Sequence, residues 1–297
     1  MADISPEVVL SKVAAAIPKE VRKHITIIGS LAAGYALRSR IGHAEVRTKD
    51  IDCVLFPFAH ASVAGVAIAR KLLEAGWTLK EDDDFPAPGD KSTSLEKLPV
   101  VRLYPPDGGD WFLELLTVPR VGSSGERFTR LIVDDENHFA LPSFKFLPIA
   151  IFEPMETPFG ICCARVEMMA FANLLENPEI KPALMRGLIE SRRIKRSNKD
   201  LGRSIALALI CDDEIGTWPV LWRKALEETF PKDWKSYGKI TGTGLRLLAA
   251  SEMDIEQACH ASNNGLLAYS PKSVEQFRIA IKRFQADCID PFGELCR

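Results

Sequence analysis

A run of β-branched residues that stops at a glycine, HITIIG, leads into SLAAGYALRSR, and an apolar run carrying two aspartates one residue apart, KDIDCVLF, begins at Lys49. This order constrains the fold more than anything else in the chain. HITIIG reads as a short buried strand. SLAAGYALRSR reads as a helix whose first residue is Ser30, and KDIDCVLF as the next strand. In a strand, residues i and i+2 project from the same face. Asp50 and Asp52 are therefore expected to point together, while Ile51 and Cys53 point into a core. Two carboxylates held side by side repel each other unless a cation neutralises them. Mg2+ suits one or two carboxylates together with substrate phosphates. Gly29 lacks a side chain and so permits close approach, and the start of a helix offers unbonded N–H groups to a phosphate. The combination points to a metal-bound nucleoside triphosphate held at Gly29 and Ser30.

Further along, ASVAGVAIARKLLEAG reads as a helix ending at Gly76. WTLKE and the acidic loop DDDFPAPGDKS come next, followed by two strand-like runs, LPVVRLY and WFLELLTV. PPDGGD between those runs has turn chemistry, so they are expected to form a β-hairpin. Glu114 is the one charged residue in WFLELLTV. A carboxylate among Phe112, Leu113, Leu115 and Leu116 is costly to bury without a partner. A metal at the Asp50/Asp52 pair would supply that partner, and two-metal sites commonly draw a third acid from a neighbouring strand. Taken singly, each feature has a plainer reading: a solvated acid-x-acid edge, an outward-facing glutamate, an ordinary helix start. GSLAAG is no P-loop, because no Lys-Ser/Thr follows, and it lacks the second glycine of a dinucleotide-binding turn.

The Pro-rich passage LPSFKFLPIAIFEPMETPFG reads as a crossover between two domains, residues 1–150 and 151–297. Beyond it the apolar spacing is helical: Val166, Ala170 and Leu174 share a face, as do Leu201, Ile205 and Leu209. Val274, Phe277, Ile281, Phe284 and Cys288 form the stripe of one amphipathic helix packed on a bundle. The expected fold class is α+β: a mixed sheet backed by helices, followed by a mainly helical domain.

IIGS, KDIDCVLF and FLELLTV together resemble the DNA polymerase beta-like nucleotidyltransferase superfamily, over roughly residues 20–120. Its hallmark is a Gly-Ser turn before a helix, an acid-x-acid strand and a third acid on an adjacent strand. The resemblance implies a sheet with helices on one face, Mg2+ dependence, and transfer of a nucleoside monophosphate from a triphosphate such as ATP to an acceptor hydroxyl. Asp50 and Asp52 would hold the metal, Glu114 would complete its site and help activate the hydroxyl, and Gly29 and Ser30 would hold phosphates. ESRRIKRSNKDLGRSIALAL is similar to the Arg-x-x-x-Lys-Asp helix of the toxin-like abortive-infection (AbiEii-type) nucleotidyltransferases. That likeness implies nucleotide-site roles for Lys199 and Asp200. It also tilts the acceptor toward RNA (tRNA) or protein, a small molecule such as an aminoglycoside staying open, and implies a toxin-like or defence role with a cognate antitoxin as candidate partner. Two departures stand out: Arg203 occupies a position where that group often carries Asp, and the third acid is Glu. The basic cluster Arg192, Arg193, Lys195, Arg196 and Arg203 is otherwise an ordinary solvated face. The rival reading from another class is a catalytically inert nucleotide-binding or protein-interaction module of the same fold.

Across 297 residues, with 46% hydrophobic and 26% charged, the chain has material for real cores, and a net charge of −2 excludes a generally basic nucleic-acid wrapper. No stretch approaches the ~20 apolar residues that span a bilayer. MADISPEVVLSKV has acids early and no basic-then-apolar pattern, so no signal peptide is expected. Seven cysteines without a CxxC pair, and His24, His43, His60, His138 and His260 without metal spacing, fit a reduced, cytoplasmic protein with packed thiols.

Overall fold

The computed structural model describes residues 2–42, 45–79, 87–120, 127–177, 184–185 and 187–297. His43 and residues 82–86 of the acidic loop lie outside the described residues. The chain divides into two compact units, Met1–Tyr35 with Ala44–Ala164, and Ala36–His43 with Arg165–Arg297. The first unit thus runs past residue 150. Within the second unit Arg40 pairs with Asp213, at 2.5 Å, and with Glu214.

The first unit begins with β1 (Ala2–Ile4), α1 (Pro6–Ala16) and α2 (Lys19–Arg22). Ser5 occupies the N-cap position of α1 in extended conformation, and Pro6 takes the first helical position, where its missing N–H costs nothing. Next come β2 (Ile25–Ile28), α3 (Gly29–Leu37), β3 (Val46–Thr48), β4 (Asp50–Leu55) and α4 (Phe58–Glu74). The strands β5 (Thr78–Leu79), β6 (Arg102–Tyr104), β7 (Phe112–Thr117), β8 (Phe128–Ile132) and β9 (His138–Pro142) follow. The unit closes with α5 (Leu147–Ala150), β10 (Met155–Glu156) and β11 (Cys162–Cys163).

Seven strands form one mixed sheet in the order β10-β11-β2-β4-β7-β6-β5. The central β4 runs antiparallel to β2 and parallel to β7. β6 and β7 form the expected hairpin, pairing Arg102 with Glu114 and Leu103 with Leu113. β1 pairs with β3, and β8 with β9, in two further antiparallel ladders. The apolar side of α4, with Ile68 and Leu72 fully buried, lies on the sheet. Gly65 permits that approach, since a Cβ there would stand 3.0 Å from Leu131 Cδ1 and 3.1 Å from Leu55 Cδ1.

The Pro-rich passage is not a simple crossover. It ends β9, forms α5 and supplies the edge strand β10 before β11 enters the sheet. Its prolines sit where no ladder hydrogen bond is lost: Pro142 ends a strand, Pro148 lies in the first turn of α5, and Pro154 and Pro158 flank the edge strand. Proline content alone does not separate an edge-strand environment from a linker.

The second unit contains α6 (Val166–Glu176), α7 (Arg196–Ile210), α8 (Trp218–Thr229), α9 (Trp234–Ile240) and α10 (Thr243–Ala249). After α11 (Glu252–Asn263), α12 (Val274–Phe284) continues through a π-helical turn, Gln285–Ile289, into α13 (Asp290–Leu295). Val166, Ala170, Leu174, Leu201, Ile205, Phe277, Ile281, Phe284 and Cys288 are all buried, while Leu209 and Val274 at the ends of their stripes are half-buried. Ser273 and Gln276 form a reciprocal capping box that starts α12. Gly202 lets α7 close onto α11, because a Cβ there would stand 2.6 Å from the Ala258 carbonyl oxygen.

No helix among the described residues is long and apolar enough to cross a membrane. All seven cysteines are free thiols, six of them buried and Cys162 half-buried.

Candidate active site

β4 and β7 lie parallel and in register, Asp50 opposite Phe112 and Asp52 opposite Glu114. Register partners share a face of the sheet, so Asp50, Asp52 and Glu114 project to the same side. β2 and β6 extend the row on either flank: Ile28 pairs with Asp52, and Arg102 pairs with Glu114. One line across the sheet therefore reads Ile28, Asp52, Glu114, Arg102. One step toward the strand starts, Asp50 stands beside Phe112, whose ring meets that of Tyr104 edge-on at 5.9 Å.

The two strands have the same burial profile: half-buried at Asp50, Asp52, Phe112 and Glu114, buried at every other position. Toward the strand ends this face turns apolar. Val54 and Leu116 cluster with Val118, Leu147 and Ile151, and Ile28 and Phe58 pack against the group. The carboxylates thus occupy the open end of a face whose other end is sealed.

Gly29 brings the start of α3 against these acids. Its φ of +76° is one that side chains rarely adopt, and a Cβ there would stand 3.0 Å from Asp52 Oδ2. Both constraints follow from the tight passage from β2 into α3, so Ser30 becomes the second helical residue. Gly29→Ala is expected to lower stability by about 1–2 kcal/mol from the left-handed backbone alone and to displace the Asp52 carboxylate. Chemical denaturation compared with wild type checks the first effect. A variant as stable as wild type would contradict it.

Asp50 is held by Thr48, whose buried hydroxyl donates to Asp50 Oδ1 at 3.0 Å. Glu114 accepts from Arg102 Nε at 2.5 Å, with the side chains 15% and 20% exposed. Beside the metal that the sequence offers as a partner for Glu114, the hairpin sets a guanidinium opposite it. Cys53, between the row and the core, has its thiol pKa pushed up by burial, with the adjacent Asp52 charge adding to the effect.

All three acids are hard oxygen donors on one face, and Gly29 leaves the Asp52 carboxylate room that a side chain would fill. Asp50 and Asp52 fit the one or two carboxylates that Mg2+ takes. As the side chains stand, no group of three or more His, Cys, Asp or Glu among the described residues could hold a metal ion. Glu114, the third acid on this face, is engaged by Arg102.

Lys199 and Asp200 lie in the second unit, near the start of α7. Asp200 is mostly buried and stands 3.9 Å from Arg196. Part of the basic cluster is structural. Lys195 Nζ donates to Asp254 Oδ1 at 2.7 Å, and the buried Asn198 donates to Asp254 at 2.8 Å and to Gln257 at 3.0 Å. Partial burial tends to raise the Asp254 carboxyl, and hydrogen bonds from Lys195, Asn198 and Ser251 outweigh it, holding it below the usual carboxylate range. Arg192, Arg193 and Arg196 are exposed.

No protein-family model, curated protein or solved structure matches the chain. The superfamily resemblance therefore rests on the residues named above and on where they stand.

Proposed function

We propose that this chain is a Mg2+-dependent nucleotidyltransferase with a polymerase beta-like catalytic unit. The observation that carries the reading is the in-register pair Asp52 and Glu114 on one sheet face with Asp50, the Asp52 carboxylate lying against Gly29. Asp50 and Asp52 would hold the ion. Bound there, Mg2+ would neutralise the triphosphate and lower the pKa of a coordinated hydroxyl.

The chain's own residues then position the reactants. Backbone N–H groups at Gly29 and Ser30, at the start of the nine-residue α3, face a phosphate with the favourable end of the helix dipole. The acceptor oxygen forms its bond to the α-phosphorus as the bond to the bridging oxygen breaks, and pyrophosphate leaves. The hydroxyl proton passes to the Glu114 carboxylate, which neighbours Asp52 in the row. RNA, tRNA included, or a protein hydroxyl is the acceptor in this reading, and an antitoxin partner belongs to the same proposal.

The test is to incubate the protein with each α-labelled nucleoside triphosphate, an RNA pool and a protein pool. Label carried onto one pool with Mg2+, and abolished by chelation, supports the reading. No label on either pool from any donor, or transfer indifferent to chelation, overturns it. One observation favours the inert-module alternative: Arg102 neutralises Glu114 without any metal. Under that alternative the labelling experiment yields nothing at any metal concentration.

A further inference from the structure

We propose that Arg102 is a positioning residue that withholds Glu114 from the metal until a phosphate group takes the guanidinium. The inference rests on the nucleotidyltransferase reading and concerns the order in which that site fills. Arg102 lies directly across the antiparallel β6–β7 ladder from Glu114, and Asp52 lies directly across the parallel β4–β7 ladder on the other side. Neighbouring strands are about 4.8 Å apart, so Glu114 stands between a cation on one flank and the metal-binding carboxylates on the other. The Arg102–Glu114 pair is close, at 2.5 Å, and largely removed from water, with 20% and 15% of the two side chains exposed. A charge-assisted bond in such a setting is stronger than a surface ion pair.

A divalent ion arriving at Asp50 and Asp52 meets two obstacles on this face. Glu114 is already engaged, and the guanidinium repels the incoming charge. A triphosphate removes both, because a guanidinium fork matches phosphate oxygens as well as it matches a carboxylate. Arg102 exchanges Glu114 for a phosphate, and Glu114 turns to the metal. The free protein then holds a divalent ion weakly, and the full carboxylate set forms only with nucleotide present. A purely structural role for the pair predicts something different: loss of Arg102 lowers stability and leaves metal affinity where it was.

The experiment titrates Mn2+ alone, without nucleotide, and follows free Mn2+ by electron paramagnetic resonance. The proteins are wild type, Arg102→Gln, the double variant Arg102→Gln/Glu114→Gln, and Asp50→Ala/Asp52→Ala, each checked for folding by circular dichroism. Arg102→Gln is expected to bind Mn2+ about tenfold more tightly than wild type, the worth of one charge-assisted bond. The double variant is expected to lose that gain. Where Arg102→Gln does not fold, Arg102→Lys, which keeps the charge without the fork, is expected to give a smaller gain. Unchanged or weaker binding in the folded Arg102 variant, while Asp50→Ala/Asp52→Ala abolishes binding, overturns this inference and leaves the transferase reading standing. Binding that survives intact in Asp50→Ala/Asp52→Ala overturns both.

Discussion

Asp52→Asn is expected to leave the fold intact and to reduce nucleotidyl transfer at least about a hundredfold, the scale on which a single preorganised electrostatic contact acts in catalysis. Asparagine keeps the size of the side chain and its place against Gly29, where the aspartate Oδ2 now stands 3.0 Å from the position of an added Cβ. It removes the charge that would hold a divalent ion between Ile28 and Glu114 on the sheet row. Asp52 is half-buried and sits on the polar side of β4, away from the Ile51, Cys53 and Leu55 core, so the cost to folding is small. Initial rates of label transfer at saturating Mg2+, with a thermal melt of the same preparation, check both halves. A normally folded variant with wild-type rates would remove Asp52 from the chemistry.

Trp222→Ala is expected to lower stability by about 3–5 kcal/mol, the range for deleting a buried large aromatic side chain. Trp222 is fully buried and lies flat on Phe171, with ring centroids 4.8 Å apart and planes 5° from parallel. Phe292 and Phe284 meet it edge-on at 5.6 Å and 6.2 Å, and Trp218 leans in at 5.9 Å. Its indole N–H donates to the Glu167 carbonyl oxygen at 2.9 Å, so the substitution also removes that buried hydrogen bond between α8 and α6. One residue thus links α6, α8, α12 and α13. Urea unfolding followed by near-ultraviolet circular dichroism measures the change. A midpoint within error of wild type would mean that this aromatic cluster is not the centre of the helical unit.

Much of this arrangement is legible in the residues alone. HITIIG, KDIDCVLF and WFLELLTV become β2, β4 and β7 because β-branched and apolar runs bounded by glycine, proline and aspartate leave few alternatives. The period-two rule is enough to set Asp50 and Asp52 on one face. The helical stripes at Val166, Leu201 and Phe277 are equally direct.

What is hidden depends on pairing between distant segments. Nothing local in RFTRLIVDDENHFALPS distinguishes β8 and β9 from loop, because Asp134, Asp135, Glu136 and Asn137 interrupt a weak alternation. β10 and β11 hold only two residues each, too short for any periodicity to register. Arg102 was within reach of sequence reasoning. Folding LPVVRLY and WFLELLTV into a hairpin requires that some residue of the first run face Glu114, and Arg102 is the charged one available. Within its own strand Glu114 is an isolated acid; its partner belongs to the strand across the turn.

The proposed chemistry requires Asp50 and Asp52 to hold a metal against a nucleoside triphosphate. Calorimetric titration with ATP, GTP, CTP and UTP, with and without Mg2+, tests it most directly when wild type is compared with Asp50→Ala/Asp52→Ala. The predicted result is binding of at least one nucleotide to wild type that requires Mg2+ and disappears in the double variant. Absence of binding for all four nucleotides, or binding that the double variant retains in full, would contradict the claim.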